Sequence, residues 1–296
     1  MKRFQLVVFL GLFCLASAQK PISYRDNAKN PSVSIQGNEG YLIPGESFEL
    51  NGNVQLRRIN ADSDAKVETL LTCAKATGLI VKLNKKTEFD QVRMTGGIEF
   101  TQKGKKGVTT ATGSSGEYDL KEGGAREVTI NGDVKIGFAG QEKNDATKTA
   151  KSSIVDSTMS TTSRSATITF KTKLDENKKQ VSEIQSATVR GPIQFNGTKL
   201  SKDADGEKRI KVSAKADQMR YTISGENGSP EVRLEGNLEF RELGGDDGAV
   251  VEGASLLILQ LNDKNEIIKL KFKSGAGQQV TTTLLKMDSK GKKGGA

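Results

Sequence analysis

The chain has 296 residues, a formal net charge of +9, 32 glycines, and neither histidine nor tryptophan. Without histidine there is no Ser-His-Asp or Cys-His nucleophile–base pair and no imidazole-ligated zinc site. Only 5% of residues are aromatic, and glycine runs at about 11% against a background of roughly 7%. That balance favours a turn-rich β-protein over a helical bundle or an enzyme.

The chain opens with a short basic segment, Met1-Lys2-Arg3, and an almost wholly apolar run from Phe4 to Leu15. Ala16-Ser17-Ala18 follows in an A-x-A pattern. This order reads as an export signal peptide cleaved after Ala18, since a run of about a dozen apolar residues falls short of the roughly 20 that span a bilayer. Cleavage removes Lys2, Arg3 and Cys14, leaves a net charge of +7, and makes Cys73 the lone cysteine. No intramolecular disulfide can then form, and Cys73, within Leu70-Leu71-Thr72-Cys73-Ala74, reads as a small core residue. The expected location is the periplasm.

Residues 19–47 lack alternation, carry Pro21, Pro31 and Pro44, and read as an extended arm. From there one heptapeptide recurs. It is Leu50-Asn51-Gly52-Asn53-Val54-Gln55-Leu56, then Met94-Thr95-Gly96-Gly97-Ile98-Glu99-Phe100, then Ile130-Asn131-Gly132-Asp133-Val134-Lys135-Ile136. Val189-Arg190-Gly191-Pro192-Ile193-Gln194-Phe195 and Leu234-Glu235-Gly236-Asn237-Leu238-Glu239-Phe240 complete the set. The glycines Gly52, Gly96, Gly132, Gly191 and Gly236 lie 44, 36, 59 and 45 residues apart. Alternation over seven residues predicts a strand with one buried face. An in-strand glycine predicts a bulge, a bend or a close backbone approach, and its parity here predicts that it faces inward.

Second strand-like runs lie between and after the glycine strands, at 79–83, 166–170, 216–221 and 256–261. Each is followed by a polar turn such as Asn84-Lys85-Lys86-Thr87-Glu88 or Asn262-Asp263-Lys264-Asn265-Glu266. The unit is a β-hairpin of about 30 residues, repeated about five times and stacked to bury its apolar face. Residues 140–163, rich in Lys, Ser and Thr, read as a long loop. The repeat domain is expected over 48–275, followed over 276–296 by a strand remnant and a flexible basic tail.

The tandem pairing of Gly52-Asn53-Val54, Gly132-Asp133-Val134 and Gly236-Asn237-Leu238 with Ala216-Asp217-x-x-x-Tyr221, and in looser form Ala254-Ser255-x-x-x-Leu259, resembles the OstA-like family. These are the periplasmic lipopolysaccharide-transport bridge proteins, of LptA-like type. The resemblance covers residues 48–273. It implies an all-β fold, an open antiparallel β-jelly-roll (a β-taco), whose apolar groove shields acyl chains and whose end strands dock to partners or to other copies.

The residues placed in that groove are Val54, Leu56, Ile98, Phe100, Val134, Ile136, Ile193, Phe195, Leu238 and Phe240. The expected partner is lipopolysaccharide or another anionic lipid. No catalytic residue, metal or cofactor is expected, and nucleic acid is disfavoured because basic and aromatic residues do not interleave. The alternative is a secreted β-repeat scaffold whose apolar rows simply fill its core. The exposed strand edges are expected near Leu50–Leu56 and Ile267–Lys273, the latter guarded by Lys269, Lys271 and Lys273.

Overall fold

A computed structural model describes residues 21–286 apart from 28, 30–31, 61–66, 84–85, 105–106, 145–152, 175–179, 204–205, 225–228, 245–246, 262–266 and 276–279. The expected signal peptide, most of the polar turn residues and the basic tail lie outside the described residues.

Fifteen strands form one antiparallel sheet. They are β1 (Ile22–Arg25), β2 (Val33–Gly37), β3 (Glu39–Ile43), β4 (Ser47–Asn60), β5 (Val67–Leu83), β6 (Lys86–Gly104), β7 (Gly107–Leu120) and β8 (Arg126–Asn144). After these come β9 (Ser153–Leu174), β10 (Gln180–Asp203), β11 (Gly206–Thr222), β12 (Glu231–Leu243), β13 (Asp247–Leu261), β14 (Ile267–Ser274) and β15 (Thr281–Lys286). From β4 to β13 each strand pairs with its neighbours in sequence, so the chain meanders without a crossover. The expected tandem hairpins are these consecutive pairs. A single 3-10 turn, Glu122–Gly124, is the sole helical element among the described residues.

Each long strand is creased. At the crease two residues oppose one: Gly52-Asn53 face the gap between Lys75 and Cys73, Gly96-Gly97 that between Ser115 and Gly113, and Gly132-Asp133 that between Ser165 and Ser163. The same shift occurs at Gly191-Pro192 and at Gly236-Asn237. All five glycines have positive φ, from 70 to 104°. The next residue is also left-handed at Asn53, Gly97, Asp133 and Asn237, which explains why Asn, Asp or Gly stands there in four of the five copies. The glycine motif is thus a β-bulge that bends the strand.

The bulge also overturns one expectation. A Cβ on Gly52, Gly96, Gly132, Gly191 or Gly236 would meet the side chain of Asn38, Ala74, Ser114, Arg164 or Asp217, respectively. Those five residues are solvent-exposed. The glycines therefore turn to the outer face, because the extra residue of each bulge breaks the simple alternation that had placed them inside.

The creases fold the sheet into two leaves. The first holds 47–51, 75–83, 86–95, 115–120, 126–131 and 165–174. The second holds 54–60, 67–73, 98–104, 107–112, 134–144 and 153–163, and both continue likewise to β13. Their apolar sides face each other: Phe100 of the second leaf lies 5.9 Å from Phe170 of the first, ring to ring. The split explains the branches off the main path. β3 pairs the first-leaf part of β4 and β2 the second; at the other end β14 pairs residues 254–261 of β13 and β15 pairs 247–252. This is an open β-jelly-roll whose sheet does not close on itself.

Three expected boundaries move. The stretch taken as an arm is part of the sheet from Ile22, since Val33 and Ile35 alternate inward and are 1% exposed, while Pro21 and Pro44 stand outside the strands. The 140–163 segment is mostly strand: β8 runs to Asn144 and β9 starts at Ser153, because Thr and Ser suit a strand in which alternate positions meet water. Finally, β1–β3 cover the first glycine strand, so the amino-terminal edge is not Leu50–Leu56.

Candidate functional site

The crease sets the register for three ladders that run across the inner face of the second leaf. The first, beside the crease, carries Val54, Ile98, Val134, Ile193 and Leu238. The second is continuous over eleven strands: Ile35, Leu56, Leu71, Phe100, Ala111, Ile136, Thr161, Phe195, Ala214, Phe240 and Val251. All ten residues expected in the groove therefore fall on two adjacent rungs. Eight of them, Val54, Leu56, Ile98, Phe100, Val134, Ile193, Leu238 and Phe240, are no more than 3% exposed and pack as core. Ile136 and Phe195 are half-buried.

The third rung, nearest the open lip, changes character along the molecule. From β4 to β7 it carries Arg58, Thr69, Gln102 and Thr109. From β8 to β11 it carries Phe138, Met159, Gly197 and Val212, and Glu242 follows on β12.

In the amino-terminal half the first leaf reaches across and closes the lip. Glu88 of β6 accepts from Arg58 Nε at 2.9 Å and Nη2 at 3.0 Å, and from Arg126 Nη2 at 2.8 Å. The side chains are 4% exposed for Glu88, 13% for Arg58 and 10% for Arg126. Burial by itself would raise the Glu88 carboxyl; the two guanidiniums outweigh it and hold the group below the ordinary carboxylate range. Phe89 stacks edge-on with Phe48 and with Tyr118 beneath this bridge. Burial pushes the Tyr118 hydroxyl up to about 12, with the Arg126 guanidinium pulling the other way. A cavity of ≈ 20 Å³ adjoins Arg58, Arg126, Tyr118, Thr69 and Gln102 over a floor that includes Phe89 and Phe100.

In the middle of the molecule the lip stays open. Met159 shares the parity of buried Thr161 and Ser163 yet is 45% exposed. Phe138, Gly197 and Val212 beside it are half-buried. Gly197 is in contact with the Phe195 ring, whose atoms lie 3.3 Å from where its Cβ would stand. Two core clusters meet here, one running from β2 to β10 and one over β11–β13, with Phe195 and Met219 at their junction. Glu242 stands at the far end of this strip, its carboxyl raised by burial. The strip is an apolar inner surface that solvent reaches.

The sequence reading placed the two inner rungs but not the residues that distinguish the halves. Arg58 and Arg126 extend the inward parities of Val54/Leu56 and Val128/Ile130, and a charge on an apolar parity was the available sign. Glu88 was assigned to a turn; β6 in fact begins at Lys86, and a second bulge at Gln91, φ 47°, has no glycine to announce it.

No family model matches the chain, and no curated protein or solved structure matches it.

Proposed function

We propose that the protein is a non-enzymatic carrier that shelters an acyl chain of an anionic lipid, of the lipopolysaccharide type, against the strip formed by Phe138, Met159, Gly197, Val212, Ile136 and Phe195. The supporting observation is that Met159, on the inner face of a folded sheet, is 45% exposed among apolar neighbours. A methionine beside aromatic and branched residues adapts readily to a flexible chain. The export-type amino terminus, Met1 to Ala18, and the OstA-like repeat favour a periplasmic setting. On this reading the site is narrower than the ten-residue groove, with Ile136 and Phe195 as its inherited members.

The ends of the first leaf favour docking in series. At one end β3 exposes Tyr41 and Ile43 beside Glu39; at the other, β14 exposes Ile268 and Phe272 beside Lys269 and Lys273. Both edges are apolar and of opposite charge, and an unpaired edge is a template for another strand. The filled core of the amino-terminal half favours the second reading, a β-repeat scaffold with no lipid.

Met159→Asp separates the two. The carrier reading expects the variant to fold as wild type while losing crosslinking to a photoreactive fatty-acyl probe. Unchanged crosslinking overturns this strip as the acyl site, and purified wild-type protein that takes up no acyl probe supports the scaffold.

A further inference from the structure

We propose that a depression on the outer face of β10–β12 is a binding site for one ring of a neutral saccharide. Six outward side chains form a grid two rungs deep across the three strands. Gln194, Lys215 and Glu239 make the rung nearer the crease, and Asn196, Ser213 and Arg241 make the next. They surround a space of ≈ 160 Å³. Phe195 and Ala214, which alternate with them along β10 and β11, belong to the inner ladder. The site is therefore separate from the acyl strip and does not rest on it.

The depression has a local cause. Ser213 is the short residue at the middle of its rung, and the longer Gln194, Lys215, Glu239 and Arg241 stand round it. The set offers both senses of hydrogen bond. The Gln194 and Asn196 amides and the Ser213 hydroxyl donate and accept, Glu239 accepts, and Lys215 and Arg241 donate. A sugar hydroxyl also donates and accepts, so a ring of hydroxyls satisfies such a mixed set. A phosphate, which offers acceptors, would leave Glu239 unmatched.

Charge points the same way. Lys215 Nζ lies 3.0 Å from Glu239 Oε2, and Arg241 Nη2 donates to Glu252 Oε1 at 2.9 Å, so both cations of the grid already face carboxylates. An anion would have to displace one of those partners; a neutral polyol can bridge them. Size then selects a single ring. One water needs roughly 10–15 Å³ of such space, so the depression takes on the order of ten non-hydrogen atoms. The grid spans about 7 Å along the strands and about 10 Å across them, the footprint of a pyranose. None of its six side chains is aromatic, so no ring stacks on the sugar, and the affinity is weak, on the order of 1 mM.

The test titrates glucose and N-acetylglucosamine into the whole chain and follows backbone amide shifts by NMR, with glucose 6-phosphate alongside. The expected result is saturable shifts with one or both neutral sugars, confined to residues 194–196, 213–215 and 239–241, and no tighter binding of the phosphate ester. Ser213→Tyr places a ring at an outward strand position, where aromatic residues are well tolerated, and fills the depression. It should abolish the shifts and leave the thermal midpoint unchanged. Asn196→Ala should weaken binding several-fold. The proposal is overturned by any of four results: no saturable shift with either sugar, shifts elsewhere on the sheet, undiminished binding by Ser213→Tyr, or tighter binding of glucose 6-phosphate. Should a variant fail to fold, the wild-type titration decides alone.

Discussion

The two halves of this sheet share one ladder and use it differently. From β2 to β7 the inner rungs carry Ile35, Leu56, Leu71 and Phe100, and the outermost inner residue, Arg58, meets Glu88 and Arg126 of the opposite leaf. From β8 to β11 the second rung becomes Ile136, Thr161, Phe195 and Ala214, with smaller or polar residues interspersed. The outermost rung carries apolar residues that no ionic bridge covers among the described residues. The difference teaches that the crease alone does not decide whether a folded sheet is a filled sandwich or an open taco. The third residue outward from the bulge decides it, by whether the facing leaf supplies a partner.

The largest test of that contrast is Glu88→Gln. It leaves two buried guanidiniums against a neutral amide and should cost about 3–5 kcal/mol of stability, read from urea unfolding. No single carboxylate in the open half should approach that. A comparable loss from Glu242→Gln would erase the distinction between the halves.

Phe100 and Phe195 occupy the same rung in the two halves. Phe100→Ala opens a cavity against Phe170 and should cost roughly 3–5 kcal/mol. Phe195→Ala, half-buried, should cost at most about half as much because solvent already reaches its side. Equal losses would mean that the strip is closed in solution.

The crease itself gives a smaller effect. Gly132→Ala forces a left-handed Cβ to within 2.6 Å of Ser114 Oγ and should cost roughly 1–2 kcal/mol by thermal unfolding. Ser114→Gly in the same chain should recover the steric part and leave the backbone part.

Acid and alkali sharpen the comparison further. The Glu88 carboxyl is held below its unfolded value, so its contribution is present above the ordinary carboxylate range and is lost as pH falls through the folded value. Glu88→Gln should therefore flatten the acid limb of the stability curve. Cys73 is pushed from 9.0 to about 11, by burial first, with a backbone hydrogen bond from Lys75 pulling the other way. The neutral thiol thus contributes fully below pH 9, and the contribution is lost as pH rises from 9 toward 11; Cys73→Ala removes that part of the alkaline decline.

The smallest effect is expected in the open half. Burial raises the Glu242 carboxyl, which contributes below the ordinary carboxylate range and is lost as pH rises, so at neutral pH the charge is a burden. Glu242→Gln should raise the thermal midpoint slightly at pH 7 and leave it unchanged well below the carboxylate range.

Much of this architecture was legible in the residues themselves. Period-2 alternation placed Val54, Ile98, Val134, Ile193 and Leu238 on one inner rung and their partners two residues on upon the next. The recurring glycine marked every crease in the even strands from β4 to β12. These features are local, set by strand parity and by the backbone freedom that Gly, Asn and Asp permit. What the tertiary structure decided is non-local. The extra residue at each bulge turned the glycines outward, against their parity. Strand β6 begins at Lys86, so Glu88 lies in the sheet and not in a turn, and there Arg58 and Arg126, 30 and 38 residues away, converge on it. Whether an apolar row is covered depends on the facing leaf, and strand parity along one segment contains no information about which residues stand opposite across the fold.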